Sequence, residues 1–347
     1  MTRPAAVPPD TRTDDRQLAP ADGPASWKGV LSHPSDAGGR MLARYDALLA
    51  TERRTIGLAL VRIAVSVVLL LYLLVQWPDR HLLWGPNGLY PNWLFAREVG
   101  ASGVPSLFGT GSSLAFEVLY HVAILVSLGY ALGWQTRIVG VAFAGVAWSL
   151  LWRTPFLLTG GDSLLLLSLP WLLLANTSAY LSVDSGWRTP GSPWRPSPRP
   201  WRALVHNAAL FALLLQLSTM YLFAGLHKLF GAPWLDGTAT GSILRLDRFS
   251  HPVLSPLLYE HELAIRLVTY WTLVFELTAP ILLWLPATRW FVAVQSVLFH
   301  GGIGILMGLA LFALEATMLQ CVIFPDESYR RIPRRLGRMV RRTRVGD

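Results

Sequence analysis

Seven stretches of this chain are apolar, and several are long enough to cross a lipid bilayer. A spanning helix needs about 20 mainly apolar residues, because the hydrocarbon core is roughly 30 Å thick and each helical residue rises about 1.5 Å. Open strands would leave backbone groups unpaired in lipid. The pattern therefore predicts an all-α, polytopic transmembrane helical bundle. The stretches lie at 56–76, 114–133, 138–152, 163–182, 203–225, 264–285 and 289–324.

The last stretch is too long for one span. It holds 36 residues, and the Gly-Gly-Ile-Gly segment at 301–304 and the pair Met307-Gly308 offer backbone flexible enough for a tight turn or a broken helix. We interpret it as two short spans. The prediction is therefore about eight helices, within a range of six to nine.

Composition and charge agree with a membrane protein. Of the 347 residues, 52% are hydrophobic and only 15% are charged, which does not suit a soluble surface. Arginines are concentrated in both terminal segments and in the loop 183–202, and the positive-inside rule then predicts that both termini are cytoplasmic. The net charge of +9 is explained by this topology and by anionic membrane lipids as partners, so no nucleic-acid partner is predicted.

These features divide the chain into three parts. Residues 1–43 are rich in Pro, Asp, Arg, Ser and Gly, which predicts a disordered cytoplasmic tail. Residues 44–324 form the predicted transmembrane domain, and 325–347 form a basic cytoplasmic tail. The predicted location is the inner (plasma) membrane of a bacterium, crossed several times.

Several kinds of site are excluded or not indicated. Cys321 is the one cysteine, so the chain has no intramolecular disulfide and no CxxC redox pair. His251 and His261 lack the spacing of a zinc helix, and no metal site is predicted. No glycine-rich motif for a dinucleotide or for ATP is present.

Polar residues inside the spans carry more information than charges in loops, because a charge at a helix centre costs at least about 2.5 kcal/mol. Glu117 and His121 are one helical turn apart and suit either a packing pair or a proton relay. Arg62 is expected to extend towards the cytoplasmic interface. The polar residues in or at the ends of the spans are Arg62, Glu117, His121, Asp162, His206, Asn207, Gln216, Lys228, Glu276, His300 and Glu315.

Lys228 lies just beyond the fifth apolar stretch, at the end of the predicted span, and allows two interpretations. Its long side chain could carry the ammonium group to the extracytoplasmic headgroups, with no further consequence. Alternatively, a dry pocket could disfavour the ammonium form, and the neutral amine could then act as a general base.

The residues around Lys228 resemble a family signature. Residues 221–237 are similar to the YxxAGxxKLxxxW motif of the horizontally transferred transmembrane (HTTM) domain, which vitamin K-dependent gamma-carboxylases share with many bacterial proteins. Segments 159–174 and 298–319 resemble two further parts of that domain in the same order. The matching positions of the signature are Tyr221, Ala224, Gly225, Lys228, Leu229, Trp234 and Gly237.

The resemblance implies a chemistry and a site. Lys228 would be the base that deprotonates a reduced, vitamin K-like quinone at the extracytoplasmic face, and His300 and Asp162 would line the pocket with it. A secreted peptide would be the partner that is modified. The positions expected to contact the cofactor are Tyr221, Gly225 and Trp234. We expect the loops 77–113 and 229–263 to close this pocket together.

The chain also departs from the carboxylases. It has Gly161-Asp162 where the animal enzymes have an Asn-His pair, only 23 residues follow Phe324, and the family disulfide cannot form. Asp162 could pair with Lys228, which would oppose a role of the lysine as a base. Two alternatives to an enzyme stay open. One is a non-catalytic maturation or export helper for a secreted peptide, similar to the proteins that act on the sporulation-delaying toxin. The other is a proton-coupled transporter using Glu117, His121 and Glu276.

Overall fold

The structure is a computed structural model, and it describes residues 51–103, 106–192 and 200–332. The predicted N-terminal tail at 1–43 and most of the predicted C-terminal tail at 325–347 lie outside these residues.

Eight helices account for all the apolar stretches, and the described residues contain no strand. The predicted all-α transmembrane bundle is confirmed. Five helices are long and apolar enough to cross a membrane, while α3, α4 and α8 are shorter. The helices are α1 (Thr55–Val75), α2 (Ser113–Leu132), α3 (Thr136–Leu151), α4 (Gly160–Leu174), α5 (Pro200–Lys228), α6 (Glu262–Leu282), α7 (Arg289–Leu306) and α8 (Ala310–Met318).

The stretch 289–324 is indeed divided into two helices. Helix α7 ends at Leu306, α8 begins at Ala310, and Gly308 between them has a φ of 70°. This left-handed conformation costs glycine little, since it has no Cβ. The Gly-Gly-Ile-Gly segment at 301–304 stays helical, so the break lies a few residues later. Helices α7 and α8 pack against each other.

The bundle is held by a continuous apolar core. Helix α1 packs on α2, α5 packs on α6, and α8 packs on both α1 and α4. Phe116, Tyr120, Phe143, Leu213 and Tyr221 are at most 1% exposed within this core. Because lipid supplies no hydrophobic driving force between helices, such close packing carries much of the helix association.

Arg62 does not extend to the interface, so that prediction was wrong. Its side chain is fully buried, and its guanidinium donates a hydrogen bond to the carbonyl of Leu181. It also lies directly beside Gly133 and Ser182. The segment after α4 folds over this part of α1, which keeps the guanidinium inside the protein.

The long loop 77–113 packs on the bundle around a buried arginine. Arg153, just after α3, donates hydrogen bonds to the carbonyls of Phe108 and Gly85 in this loop. Its guanidinium also lies 4.9 Å from the ring of Phe95. These contacts fix the loop on α3.

Asp184 caps the start of α3 from a distant loop. Its carboxylate accepts hydrogen bonds from the backbone N–H of Gln135 at 2.9 Å and of Thr136 at 2.8 Å. Burial alone would raise the pKa of Asp184, but hydrogen bonding from the side chain and backbone of Thr136 and from Gln135, with the charge of Arg62, holds the pKa below its usual value. The stabilisation is thus present above the unfolded-state pKa and is lost as the pH falls through the folded-state pKa.

We expect Asp184→Asn to lower the free energy of unfolding by about 1 kcal/mol at pH 7, since it weakens a helix cap. Thermal unfolding of the detergent-purified chain, monitored by tryptophan fluorescence, measures this difference. The gap between variant and wild type should shrink below about pH 4, where an unfolded aspartate is protonated. A gap that stays constant down to pH 3 would contradict the capping role.

Candidate functional site

A cavity of about 510 Å³ lies among α4, α5, α6, α7 and α8. Three short helices from the loop after α5 contribute to its lining; they span Ala232–Leu235, Ala239–Leu244 and Leu254–Tyr259. The second long loop thus closes the cavity as predicted. The first does not: no described residue of 77–113 lines it, because that loop is held on α3 by Arg153.

The cavity wall is mainly apolar and aromatic, with a few polar groups on it. Trp271, Phe299 and Phe312 are among its aromatic residues. Besides Tyr221, the ionisable residues among the described ones that line it are Lys228, Glu276 and His300. Size and lining match those of small-molecule sites, which are typically about 300–1,000 Å³ and carry few polar groups.

Lys228 is paired with Glu276. Its Nζ lies 2.8 Å from Oε1 and 2.7 Å from Oε2 of the carboxylate. The Glu276 side chain is only 4% exposed and that of Lys228 is 21% exposed. The ring of Trp234 lies 5.1 Å from the same ammonium group, within reach of a cation–π contact. The amine is therefore held inside the protein rather than extended to the headgroups.

A glycine in α5 allows Lys228 and Glu276 to come into contact. Lys228 is the last residue of α5, and Gly225 lies one turn earlier, buried against α6. A Cβ at position 225 would lie 2.9 Å from Cδ2 of Leu277 and 3.2 Å from Cβ of Glu276. The missing side chain lets α6 approach closely enough for the pair to form. Gly225 does not line the cavity, whereas Tyr221 and Trp234 do.

His300 is oriented by a buried network of polar side chains. Its Nδ1 lies 2.9 Å from the carbonyl oxygen of Ser296, so Nδ1 carries the hydrogen and Nε2 is the acceptor nitrogen. Within the described residues Nε2 forms no hydrogen bond to protein. The Oγ of Ser296 also lies 2.7 Å from the hydroxyl of Tyr221, which accepts a hydrogen bond from Gln320 at 2.8 Å.

Asp162 is not paired with Lys228. It forms a capping box at the start of α4, where Oδ2 accepts hydrogen bonds from the backbone N–H and hydroxyl of Thr159. Glu315 of α8 lies beside this turn, because a Cβ at Gly161 would be 2.0 Å from its Oε2. Gly160 and Gly161 line the cavity in front of Asp162, which itself does not.

Glu117 and His121 lie elsewhere. The carboxylate of Glu117 is bound by Arg80 at 2.9 Å and by His81, both from the loop 77–113. His121 contacts mainly the backbone carbonyl of Glu117, at 2.7 Å. Neither residue lines the cavity, so the structure does not bring this pair together with Glu276.

Sequence reasoning left the partner of Glu276 open, with Lys228 as one candidate beside Arg62 and the histidines. Glu276 was recognised as a costly intramembrane carboxylate, but it is 48 residues from Lys228 and the spacing gives no indication of the pairing. Ser296 and Gln320 were missed because a neutral polar residue in a span is common. Three or more potential metal ligands do not cluster anywhere in the described residues.

Comparison with known families decides what kind of chain this is. The family model of the HTTM domain matches residues 109–328, which is more than half of the 347 residues. The chain belongs to the HTTM domain family. The match runs from just before α2 to beyond α8 and includes Lys228, Glu276 and His300. The resemblance noted from the sequence is confirmed, and the protein is a multi-pass HTTM-domain membrane protein. Neither the curated proteins nor the solved structures give a significant match.

Proposed function

We propose that this HTTM protein is a membrane enzyme that binds a lipid-soluble quinol in the cavity and removes a proton from its hydroxyl group. The observation that carries the proposal is the ion pair of Lys228 and Glu276 on the wall of an otherwise apolar, aromatic cavity. Holding charges in such surroundings is costly. A pair kept beside an open cavity rather than in the packed core is placed to act on a ligand.

The residues present fit an aromatic ring with polar edges. Trp271 and Phe299 supply flat apolar surfaces, and the Nε2 atom of His300 can accept a hydrogen bond from a hydroxyl group. Tyr221, Ser296 and Gln320 fix the orientation of His300 through their hydrogen bonds. A reduced quinone would supply the acidic hydroxyl and the capacity to react with oxygen.

The pair can move one proton without leaving a net charge in the cavity. In the resting pair Lys228 is the ammonium and Glu276 the carboxylate. Transfer of a proton from Lys228 to Glu276 over 2.7 Å gives the neutral amine, and the amine accepts the proton of the ligand hydroxyl. Lys228 becomes an ammonium again beside the new oxyanion. In this scheme Asp162 has no catalytic role and serves to cap α4.

A transporter built on Glu117, His121 and Glu276 has no support of this kind. Glu117 is bound by Arg80 and His81, His121 contacts Glu117, and neither Glu117 nor His121 lines the cavity. For the topology we retain the positive-inside interpretation, with both termini cytoplasmic and the cavity extracytoplasmic. A secreted peptide as second substrate remains a proposal that rests on the family resemblance.

Lys228→Arg tests the role of residue 228 as a base, because it keeps the positive charge but removes the ability to accept a proton. Arginine keeps a cation beside Glu276 but cannot release its proton in a protein. We expect the wild-type chain in nanodiscs to bind a reduced naphthoquinone and to accelerate its oxidation by oxygen. The variant should bind within a few-fold as tightly, but should oxidise the quinol about 10²–10⁴ times more slowly, the usual range for a general base.

The assay needs two readouts. Quenching of tryptophan fluorescence measures binding, since Trp234 and Trp271 line the cavity, and quinone absorbance measures the rate. Lys28→Arg is the matched control, because Lys28 and Lys228 are the two lysines of the chain. Absence of saturable binding, or equal rates for wild type and Lys228→Arg, would overturn the proposal in favour of a non-catalytic helper.

A further inference from the structure

A second cavity, here called the outer groove, lies between α1, α7 and α8. Its volume is about 790 Å³, and among the described residues it shares only Leu298 with the lining of the cavity at Lys228. Both long walls follow the spacing i, i+3, i+4, i+7, i+8 of a single helix face. The wall residues are Leu60, Ile63, Ala64, Val67 and Val68 from α1, and Trp290, Ala293, Val294, Val297 and Leu298 from α7.

The outer groove opens to the surface of the bundle that faces lipid. Val294 and Val297 are 51% and 56% exposed, and Leu314 of α8 is 47% exposed. The wall on α1 extends over eight residue steps, which corresponds to about 12 Å at about 1.5 Å per residue. The groove thus presents an elongated apolar surface of acyl-chain dimensions in direct contact with hydrocarbon.

Positive charge is concentrated at one end of the groove. Arg54 directly precedes α1, and Arg289 is the first residue of α7. Arg289 is followed by Trp290, whose ring centroid lies 4.4 Å from that of Phe324, and both rings line the groove. Burial, followed by repulsion from Arg289 and Arg53, lowers the pKa of Arg54 to about 10. Arg54 also donates a hydrogen bond to the carbonyl oxygen of Val322, which lies between the lining residues Cys321 and Phe324, so its guanidinium is held at this end of the groove.

Within the described residues this charge lacks a full counter-ion. Neither Arg54 nor Arg289 takes part in an ion pair. Asp326 is the one carboxylate that attracts Arg54, but its oxygens accept hydrogen bonds from Thr55 and from the N–H of Ile56. The buried Nε of Arg289 has no hydrogen-bond partner. The hydrogen bonds that the two guanidinium groups donate go to backbone carbonyls, of Val322 for Arg54 and of Trp284 for Arg289, so neither bond supplies a negative charge.

We propose that the outer groove binds an anionic glycerophospholipid, with one acyl chain along α1 and α7 and the phosphate between Arg54 and Arg289. Guanidinium groups bind phosphate oxygens with strong, charge-assisted hydrogen bonds. A zwitterionic lipid would bring its own cation towards this cluster and is disfavoured. Under the positive-inside rule this end of α1 lies in the cytoplasmic leaflet, where anionic lipids attract basic residues.

Arg289→Gln tests whether the positive charge at the end of the outer groove binds the lipid phosphate. Native mass spectrometry of the full chain, titrated in detergent with phosphatidylglycerol or phosphatidylcholine, should show tighter binding of phosphatidylglycerol. The variant should weaken phosphatidylglycerol binding about fivefold, the usual contribution of one basic residue near a membrane surface, and leave phosphatidylcholine binding unchanged. Arg266→Gln, at an exposed arginine on α6, is the matched control and should have no effect.

Val297→Trp tests whether the outer groove holds the acyl chain. It leaves both arginines in place but fills the space of an acyl chain at an exposed position, so the fold should tolerate it. Phosphatidylglycerol binding should fall at least tenfold, whereas the melting temperature in detergent should not change. Equal binding of both lipids, or displacement of phosphatidylglycerol by millimolar inorganic phosphate, would overturn the proposal. A dimer that dissociates when Val297→Trp is introduced would assign the groove to a second copy of the chain and would overturn it as well.

Discussion

Lys228→Met should lower the free energy of unfolding by about 3–5 kcal/mol, because it removes one partner of a buried ion pair. The Glu276 carboxylate is 4% exposed and accepts its hydrogen bonds from Lys228. Without the ammonium group it must either stay charged in apolar surroundings or take up a proton, and both cost free energy. Glu276→Gln should cost less, since the Lys228 side chain is 21% exposed and keeps its contact with Trp234.

The double variant Lys228→Met/Glu276→Met is the decisive comparison. Replacing both members of a buried pair by apolar residues of similar size is often neutral or stabilising, so most of the loss should be recovered. Unfolding of the purified chain in dodecyl maltoside, followed by tryptophan fluorescence, measures all three variants. The exposed pair of Glu262 and Arg266 on the same helix α6 provides a control, and Glu262→Gln should change the free energy by less than about 0.5 kcal/mol.

Two outcomes would argue against a coupled pair. One is a Lys228→Met variant as stable as the wild type, which would mean that Glu276 is well solvated. The other is a double variant no more stable than Lys228→Met, which would mean that the lysine stabilises the protein through contacts other than the carboxylate. Either result would also weaken the proposal that a proton passes between the two residues.

Gly57→Ala should lower the free energy of unfolding by about 1–3 kcal/mol or more, the usual range for overpacking. Gly57 lies in the first turn of α1 against the segment that follows α8. A Cβ there would lie 2.3 Å from the carbonyl oxygen of Cys321 and 3.3 Å from Cα of Val322. These are backbone atoms, so they cannot turn away as a flexible side chain would. The helix itself must shift.

Gly301→Ala in α7 is the matched control for this substitution. Nothing lies within 4 Å of a Cβ at that position, and the residue is helical. Alanine is the better helix former by about 0.8–1.0 kcal/mol, so Gly301→Ala should be neutral or stabilising. Tryptophan-monitored thermal unfolding again gives the comparison. Equal effects of Gly57→Ala and Gly301→Ala would show that helix propensity, rather than close approach of α1, governs both positions.

The predictability of the site differs from residue to residue. The family signature led directly to Lys228, and the apolar stretches placed His300 and Glu276 inside spans. Arg62 was assigned to the interface because its position in α1 allows it, but the chain beyond α4 covers it. From the sequence, Asp162 was a possible partner of Lys228. In the structure it forms a capping box with Thr159 at the start of its own helix, α4.

Local patterns in the sequence determine the positions of the eight helices, the break near Gly308 and the membrane environment. Apolar length and glycine conformation act over a few residues, and so they can be read without a fold. The pairing of Lys228 with Glu276, the burial of Arg62 and the outer groove beside Arg54 and Arg289 were decided only by the tertiary structure. Each depends on contacts between helix faces that are far apart in sequence. The spacing of residues within one helix does not specify such contacts.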